Sequence, residues 1–532
     1  MKKFRFYLTT LIIIMLFNST AMANIWYVSP FQNIQDTINI SNTGDIIYVQ
    51  DGVYYENLNF MGKSLTLASY YGLGNGTSHI GNTIIDGEQN GRVVDISNCD
   101  SAMLIGLTIR NGSTSGRGGG INAYQCPRLF IDRCIIEGNS ADTGGGISLY
   151  RTSANITRCI IRDNIAEDDG GGIATFSSGP VLGLDGNPDD RIVINNCLIV
   201  NNEAQDVHGS MGGGGIRLIS YDTRVLNCTI SHNSTPNNNG GGISMNHDPI
   251  ISNSIIWDNF GNDLDTYTGV NPNVSYCNVG AVYMGSGNIS TDPLFGSGTN
   301  YFLSSSSPCI NAGDPNSTIP PLLSIDLIDT PRILGIRVDI GAYEWMNTLT
   351  LQPDDGIDAH LSSLYPDQNY GDHQDLNAAA WTSRRSLSNV RNVILFEGID
   401  SIPPGAQILS AKLSLFNNPT ASNGFLNGEH SSYSGSNESV IKRVTSQWYE
   451  YDVTWNTQPS TTSLNEAIVP QSTNPNQDYE IDVTDMVNDM INFRNFGFLL
   501  KLETEIRYRC LLFASSDHPD SNLHPKLEIS YY

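Results

Sequence analysis

The chain has 532 residues, with 54 acidic side chains against 28 lysines and arginines, and a formal net charge of −26. Its length allows two to four domains. So acidic a surface excludes nucleic acid and anionic membranes as partners, since both need cationic neutralisation. A polyanion would need a local basic patch or bridging cations.

In chain order, Lys2, Lys3 and Arg5 precede an apolar run from Leu11 to Phe17, followed by Ala21-Met22-Ala23. A charged start, a short apolar stretch and an A-x-A site predict a signal peptide over 1–23, cut after Ala23. The expected product is a secreted or cell-surface protein with no membrane insertion. Ile25 to Ser29 reads as a strand, and 34–40 has helical spacing. Stretches 44–49, 51–57 and 62–67 complete a set expected to cap a stacked-coil fold, whose open end would expose apolar core and unpaired strand groups.

A repeat then occupies 118–259. Gly118-Gly119-Gly120-Ile121 is followed by Cys134 and Asn139, and Gly144-Gly145-Gly146-Ile147 by Cys159 and Asn164. Three further triplets begin at Gly170, Gly213 and Gly240, and lead to Cys197 and Asn202, Cys228 and Asn233, and Ser254 and Asn259. A period near 25 residues with β-branched alternation predicts a solenoid, each coil pairing in parallel with the next. The triplet suits a tight corner. The asparagines are expected in left-handed turns, bonding up the stack as a ladder. Cys134, Cys159, Cys197 and Cys228 share one position beside inward isoleucines and read as buried thiols rather than disulfides. Two insertions break the period, at 177–190 and 203–211.

Residues 25–70 resemble the N-terminal cap and first coils of secreted bacterial right-handed parallel β-helix proteins, the pectate-lyase-like group. Asp292-Pro-Leu-Phe295, Ser307-Pro-Cys-Ile-Asn-Ala-Gly-Asp314 and Asp339-Ile-Gly-Ala-Tyr-Glu344 are similar to the segment that closes such solenoids. The resemblance implies a right-handed β-helix over 24–346, with Asp314, Arg332, Asp339 and Glu344 as a polar capping network. The Gly-Gly-x-Ile and Ile-x-x-Asn pattern also resembles bacterial polymorphic outer-membrane proteins, from which only coil geometry carries over.

From 347 to 532 the triplets stop and residues alternate as in antiparallel strands, predicting a β-sandwich. Leu364-Tyr-Pro-Asp-Gln-Asn-Tyr-Gly371, Trp448-Tyr-Glu450, Val453-Thr-Trp-Asn-Thr-Gln-Pro459 and Phe513-Ala-Ser-Ser-Asp517 resemble the DNRLRE domains, close to family-96 carbohydrate-binding modules. That resemblance implies a jelly-roll-like sandwich and polysaccharide binding. The namesake Asp-Asn-Arg-Leu-Arg-Glu string is absent, which leaves the ligand open.

Three sets of residues are candidates for chemistry. Glu167, Asp168 and Asp169 with Glu203 and Asp206 fall near adjacent coil turns, where carboxylates can hold Ca²⁺ or form an ordinary solvated turn; calcium is the one cofactor the sequence points to. Tyr124, Tyr150 and Phe176 should stack outward on consecutive coils, flanked by Arg151 and Arg217, as a sugar-binding face or simply a stabilising stack. In the C-terminal domain, Trp381 with Arg384 and Arg385 is a further ligand-facing candidate, while Trp448 and Trp455 belong in the core. For catalysis, Lys63 is the single lysine of the β-helix and belongs to the cap. A lyase would therefore need Arg217 or Arg117 as base. Asp168, Asp169 and His208 partly resemble polygalacturonases, whose Asn-Thr-Asp, Gly-His-Gly and Arg-Ile-Lys strings are absent. The expected protein is an all-β, non-catalytic, extracellular polysaccharide binder or adhesin. The alternative is a polysaccharide lyase with an arginine base, or a glycoside hydrolase, acting on a uronate-type polymer.

Overall fold

The computed structural model describes residues 23–532 apart from 75, 177–190, 209–211, 221, 237–238, 268, 297–300, 318–322, 353–355, 384–385, 404 and 422–427. The apolar run of the expected signal peptide, the first insertion and Arg384 and Arg385 lie outside the described residues. The chain divides into two compact units, Met1–Trp345 and Met346–Tyr532.

In the first unit each repeat forms one coil. Ile121–Tyr124, Leu129–Asp132, Ile135–Glu137 and Ser140–Thr143 are successive strands of one such coil. The first three pair in parallel, in register, with strands one repeat later: Ile121 with Ile147, Leu129 with Ala154, Ile135 with Ile160. The fourth does so with a slip after Thr114 and after Ala141. Among the described residues this stacking builds sheets of ten, nine, eight and four strands. We number them by this coil: sheet 1 contains 129–132, sheet 2 135–137, sheet 3 121–124 and sheet 4 140–143. Ile121, Ile147, Ile173, Ile216 and Ile243 form one inward column, all fully buried. Each such burial is worth roughly 1.5–3 kcal/mol, which no coil can collect alone.

The triplets sit where sheet 4 turns into sheet 3. Their first glycines, Gly118, Gly144, Gly170, Gly213 and Gly240, have φ between +66° and +79°, a conformation that costs a side-chain-bearing residue strain. The second glycine is needed for proximity: a Cβ on Gly145 would lie 2.3 Å from the Ile165 carbonyl oxygen. Backbone bonds run straight through these corners, as from Gly120 N to Gly145 O and Ile121 N to Gly146 O.

The asparagine ladder is continuous. Each Nδ2 donates to the Oδ1 of the next, from Asn139 through Asn164, Asn202 and Asn233 to Asn259, at 2.9–3.0 Å. Asp263 Oδ1 receives the last, at 2.8 Å. The left-handed residue, however, is the one before each ladder asparagine: Gly138, Asp163, Asn201, His232 and Asp258. The asparagine side chain has to point inward to reach its neighbour, so the residue ahead of it takes the turn. The cysteines are buried thiols; the Cys159 and Cys197 S–H groups point to the Thr157 and Asn195 carbonyls.

At the cap, Ile34–Ile40 is a helix that buries Ile34 and Ile38. Lys63 Nζ donates to the Ile38 and Asn39 carbonyls at 2.8 and 2.9 Å. Its charge is spent on the negative end of that helix.

The closing segment does more than end the stack. Leu327, Ala342 and Tyr343 pack on Leu198 and Val200, and Cys309 and Ile340 on Ile255. The chain therefore returns along the outer side of sheet 2. It reaches Arg133, which donates to the Leu327 carbonyl and pairs with Asp329. Within the strap, fully buried Arg332 lies 3.3 Å from Glu344 and donates to the Asp339 and Gly341 carbonyls. Asp339 accepts from the Asn311 and Trp345 amides, and Asp326 from that of Glu344. Asp314 stands apart: its amide bonds Asn253 and its carboxylate accepts from Asn316.

The second unit is an antiparallel sandwich. Asn347–Leu351, Lys526–Tyr531, Ile408–Leu415 and Tyr479–Asp482 form one sheet in that order. The other contains Asp375–Ser383, Ser386–Leu395, Phe498–Leu502, Ser439–Val444 and Arg509–Ala514. A shared core joins them, with Leu413 and Ile529 from the first and Ala378 and Phe513 from the second.

Burial pushes the Glu344 carboxyl up to about 8 from an ordinary 4.5, and Asp339 up to about 6, with Arg332 opposing both shifts. The unfolded chain releases these protons earlier, so stability falls as pH rises from about 4.5 to about 8. The thermal midpoint of the β-helix should drop across that window, and Glu344→Gln should flatten much of the slope. An unchanged slope in the variant would show that Glu344 titrates normally. The variant also separates this effect from Asp358 of the sandwich, which burial pushes up to about 7.

Candidate functional site

Sheet 3 carries two outward rows, and the sequence candidates divide between them. Asn122, Ser148, Ala174, Arg217 and Ser244 are register partners in the first. This row faces away from the isoleucine core, yet it is covered. A Cβ on Gly144 would meet Ser148 Cβ at 2.9 Å, and one on Gly170 would meet Ala174 Cβ at 2.8 Å. The corners fold over the row, and Ser148, Ala174 and Ser244 are fully buried.

Arg217 is consequently 3% exposed. Its Nη1 donates to Ser244 Oγ at 2.9 Å, and its Nε lies 3.6 Å from Asp169 Oδ1. Burial lowers its pKa, while Asp169, Asp265 and Asp206 pull the other way. Strand alternation predicts that this side chain leaves the core, but it cannot show that the next corner closes over it. Arg217 neither flanks the aromatic rings nor stands free as a base.

The second row holds the rings. Tyr124, Tyr150 and Phe176 are register partners, each half-buried. The Tyr124 and Tyr150 rings stack with centroids 5.4 Å apart and planes 8° from parallel. Ring faces are thus turned toward neighbouring coils, so the rings present edges and hydroxyls rather than a flat platform. The arginines beside them are Arg117 and Arg151, both exposed. Arg117 Cζ lies 4.6 Å from the Tyr150 centroid and 5.0 Å from that of Phe176, and Arg151 Cζ 5.6 Å from Tyr150. Such cation–π contacts hold a guanidinium in place while its N–H groups keep other partners. Arg117 ends the sheet-4 strand Ser113–Arg117, one residue before the triplet. Its place in sequence, between a strand end and a tight corner, is the signal that could have assigned it to the ring row.

The acidic residues do not converge. Ile165 pairs with Glu203 and Ala166 with Ala204, so Glu203 stands two positions away from the level of Glu167. Glu167 is exposed, Asp169 faces Arg217, and Asp206 accepts from Asn239 Nδ2 at 2.6 Å. Calcium needs six to eight oxygens around one centre, and these side chains do not fit that demand. Among the described residues no group of three or more His, Cys, Asp or Glu is placed to hold a metal ion. Asp168 instead pairs with His208, with Nδ1 2.6 Å from Oδ1 and the His208 amide donating to the same oxygen. The imidazole is exposed, and the Asp168 contact raises its pKa.

In the sandwich, Trp381 is half-buried against Ala379, Ala421, Cys510 and Leu512. Its ring meets Tyr508 edge-on at 5.3 Å, and Tyr508 meets the exposed Tyr433 at 6.1 Å. Trp448 is core, with Nε1 donating to the Phe496 carbonyl. Trp455 is partly buried under Arg391.

Two family models match the chain: "Right handed beta helix region" over 38–223 and "Carbohydrate-binding module family 96" over 348–531. The chain is therefore an all-β protein of the right-handed parallel β-helix class. More particularly, it joins such a helix to a C-terminal family-96 carbohydrate-binding module. Among solved structures, the pectate lyase Pel9A is similar at 13% identity, over 61% of this chain and 97% of that one, with a TM-score of 0.34. The tailspike protein gp49 of Acinetobacter baumannii bacteriophage Fri1, a capsular polysaccharide depolymerase, is similar at 8% identity, over 96% and 84%, with a TM-score of 0.21. No curated protein matches.

Removing one member of a buried charge pair leaves the other uncompensated, typically at about 3 kcal/mol or more. Arg217→Met should therefore destabilise the β-helix by roughly that amount in denaturant unfolding, since the buried charge facing Asp169 and Asp265 is lost. A loss below about 1 kcal/mol, within the range of a surface pair, would show that the arginine is not a structural counter-ion.

Proposed function

We propose that the protein is an extracellular, non-catalytic polysaccharide binder, and that its β-helix presents Arg117, Arg151, Tyr124 and Tyr150 to an acidic glycan. The observation that carries this reading is the local pairing of two exposed guanidiniums with the half-buried Tyr150, itself stacked on Tyr124, on a chain of net charge −26. Guanidinium matches a carboxylate in bidentate geometry, and tyrosine hydroxyls both donate and accept. Binding here proceeds through cations and ring edges, because Tyr124 and Tyr150 stack on each other and Arg117 lies over Tyr150 and Phe176. The C-terminal module supports a carbohydrate ligand by its family, with the Trp381, Tyr508 and Tyr433 cluster as an aromatic surface within it.

The burial of Arg217 supports the non-catalytic part by withdrawing one of the two arginines that could act as a lyase base, since a base must reach the proton it removes, while the exposed Arg117 is engaged over the Tyr150 and Phe176 rings. The alternative reading is a lyase or hydrolase on a uronate polymer. One observation favours it: the exposed His208–Asp168 pair at 2.6 Å, an orientation that suits an acid–base group.

Affinity electrophoresis of the full chain through polygalacturonate and alginate decides between them. Retardation should appear, and Arg117→Ala with Arg151→Ala should weaken it about tenfold, the effect of losing about 1.4 kcal/mol. Neither unsaturated product, read by ultraviolet absorbance, nor new reducing ends should form. Turnover abolished by His208→Ala would establish the enzyme instead. Absence of retardation by either polymer would remove the acidic-glycan reading.

A further inference from the structure

The sandwich contains a second surface whose chemistry differs from that of the β-helix. A cleft of about 550 Å³ opens between the turn 447–453, the short helical segment Glu397–Ser401 and the stretch 494–496. Its volume falls within the roughly 300–1,000 Å³ of ordinary ligand pockets. Tyr449 and Tyr451 stand on its rim, 62% and 68% exposed. What marks them is that two exposed rings share the mouth of one cleft, since exposed aromatics scattered singly are ordinary.

The turn that carries them is held from both sides. Trp448, between Gln447 and Tyr449, is anchored through Nε1 to the Phe496 carbonyl at 2.9 Å. Asn369 Nδ2 donates to the Glu450 and Val453 carbonyls at 2.6 and 2.8 Å. Gln447 Nε2 donates to the Tyr449 hydroxyl at 2.9 Å and so sets its direction. The turn and the Tyr449 ring are therefore positioned before any ligand arrives, which lowers the ordering cost of binding.

The charge of the cleft narrows the ligand. Glu397, Asp400, Glu450 and Asp452 line it, against a single cation, Arg494. Arg494 is itself stacked on Phe496, its Cζ 5.0 Å from the ring centroid. Carboxylates accept strongly from hydroxyl donors. The same groups repel a uronate or sulfated chain at contact distance.

From the cleft, the exposed tyrosines on a held turn and the carboxylate excess we propose that this is a glycan site for an uncharged polysaccharide segment. The rings contact sugar C–H faces, and Asp400, Asp452 and Glu397 accept from hydroxyls. The inference rests on the carbohydrate-binding reading of the C-terminal module but not on the acidic-glycan reading of the β-helix. The two surfaces select different charge classes, one acidic and one uncharged, and the protein is then a binder of two different polymers.

The test uses the full chain in calorimetric titrations with cello-, manno- and xylohexaose, and with hexagalacturonate for comparison. At least one neutral hexasaccharide should bind. Tyr449→Ala with Tyr451→Ala should weaken it about tenfold or more, as expected for losing aromatic anchors. Both residues are exposed, so the variant should keep its fold. Asp400→Lys supplies a second variant, with the same loss expected from removal of an acceptor and reversal of its charge. Hexagalacturonate affinity should remain unchanged in both. The proposal is overturned if no neutral hexasaccharide binds, if neutral binding survives both variants, or if hexagalacturonate is the ligand whose binding the tyrosine variant abolishes. Failure of the β-helix face would instead appear as absent hexagalacturonate binding with neutral binding intact.

Discussion

The β-helix depends on how closely one coil can approach the next at the glycine corners. At Gly119, Gly145 and Gly171 an added Cβ would lie 2.3–2.4 Å from a backbone carbonyl oxygen. No side chain can be accommodated without opening the stack. Glycine in this number is entropically costly, at roughly 0.5–1 kcal/mol per residue relative to alanine. What offsets it is that the close approach is shared by everything else: the backbone bonds through the corners, the asparagine ladder and the isoleucine columns all need the same coil spacing. These terms are cooperative, because a coil held apart at one corner loses all three along its length.

That constraint also decides where ligand chemistry can take place. The corners lie over the first outward row of sheet 3, and the closing strap lies over the outer side of sheet 2. An outward position in a coil is therefore not automatically a surface position. Arg217 faces out of the isoleucine core and is still sealed among Ser244, Asp169 and Asp265. Its burial follows from the neighbouring glycines, whose small size lets the backbone close over it. Tyr150 lies on the same side of its strand as the buried Ser148, one step further from the triplet, and so clears the corner and meets Arg117.

Much of the first unit is legible in the sequence because its rules are one-dimensional. A repeat, a strand alternation and a fixed Cys-to-Asn offset are enough to give coil register. Asn139, Asn164, Asn202, Asn233 and Asn259 can be read as a ladder before any coordinates. Turn propensity places the αL position one residue too late, because the preference of asparagine for turns competes here with its value as a buried hydrogen-bonding group. The strap over sheet 2 is legible as a closing segment but not as a cover. Its contacts join residues such as Arg133 and Leu327 that no periodicity relates. The acidic turn misleads for a similar reason: residue type and approximate level suggest convergence, while the partners that separate Asp168, Asp169 and Asp206, namely His208, Arg217 and Asn239, come from different coils. In the sandwich, Trp448 reads correctly as core, but Tyr449 and Tyr451 beside it give no periodic signal, since a turn has none.

Net charge and contact chemistry act over different ranges. At physiological ionic strength exposed charges are screened over about 8 Å, so the overall charge of −26 governs solubility and the approach of a polymer more than its final docking. Within that range only immediate neighbours count. Around Tyr150 these are Arg117 and Arg151, held against the ring. Around Tyr449 they include Glu450 and Asp452, with Arg494 stacked on Phe496. The same ring type is thus set in two opposite local fields on one acidic chain. A tyrosine contributes area and a hydroxyl in either setting; the charges beside it determine which glycan can stay.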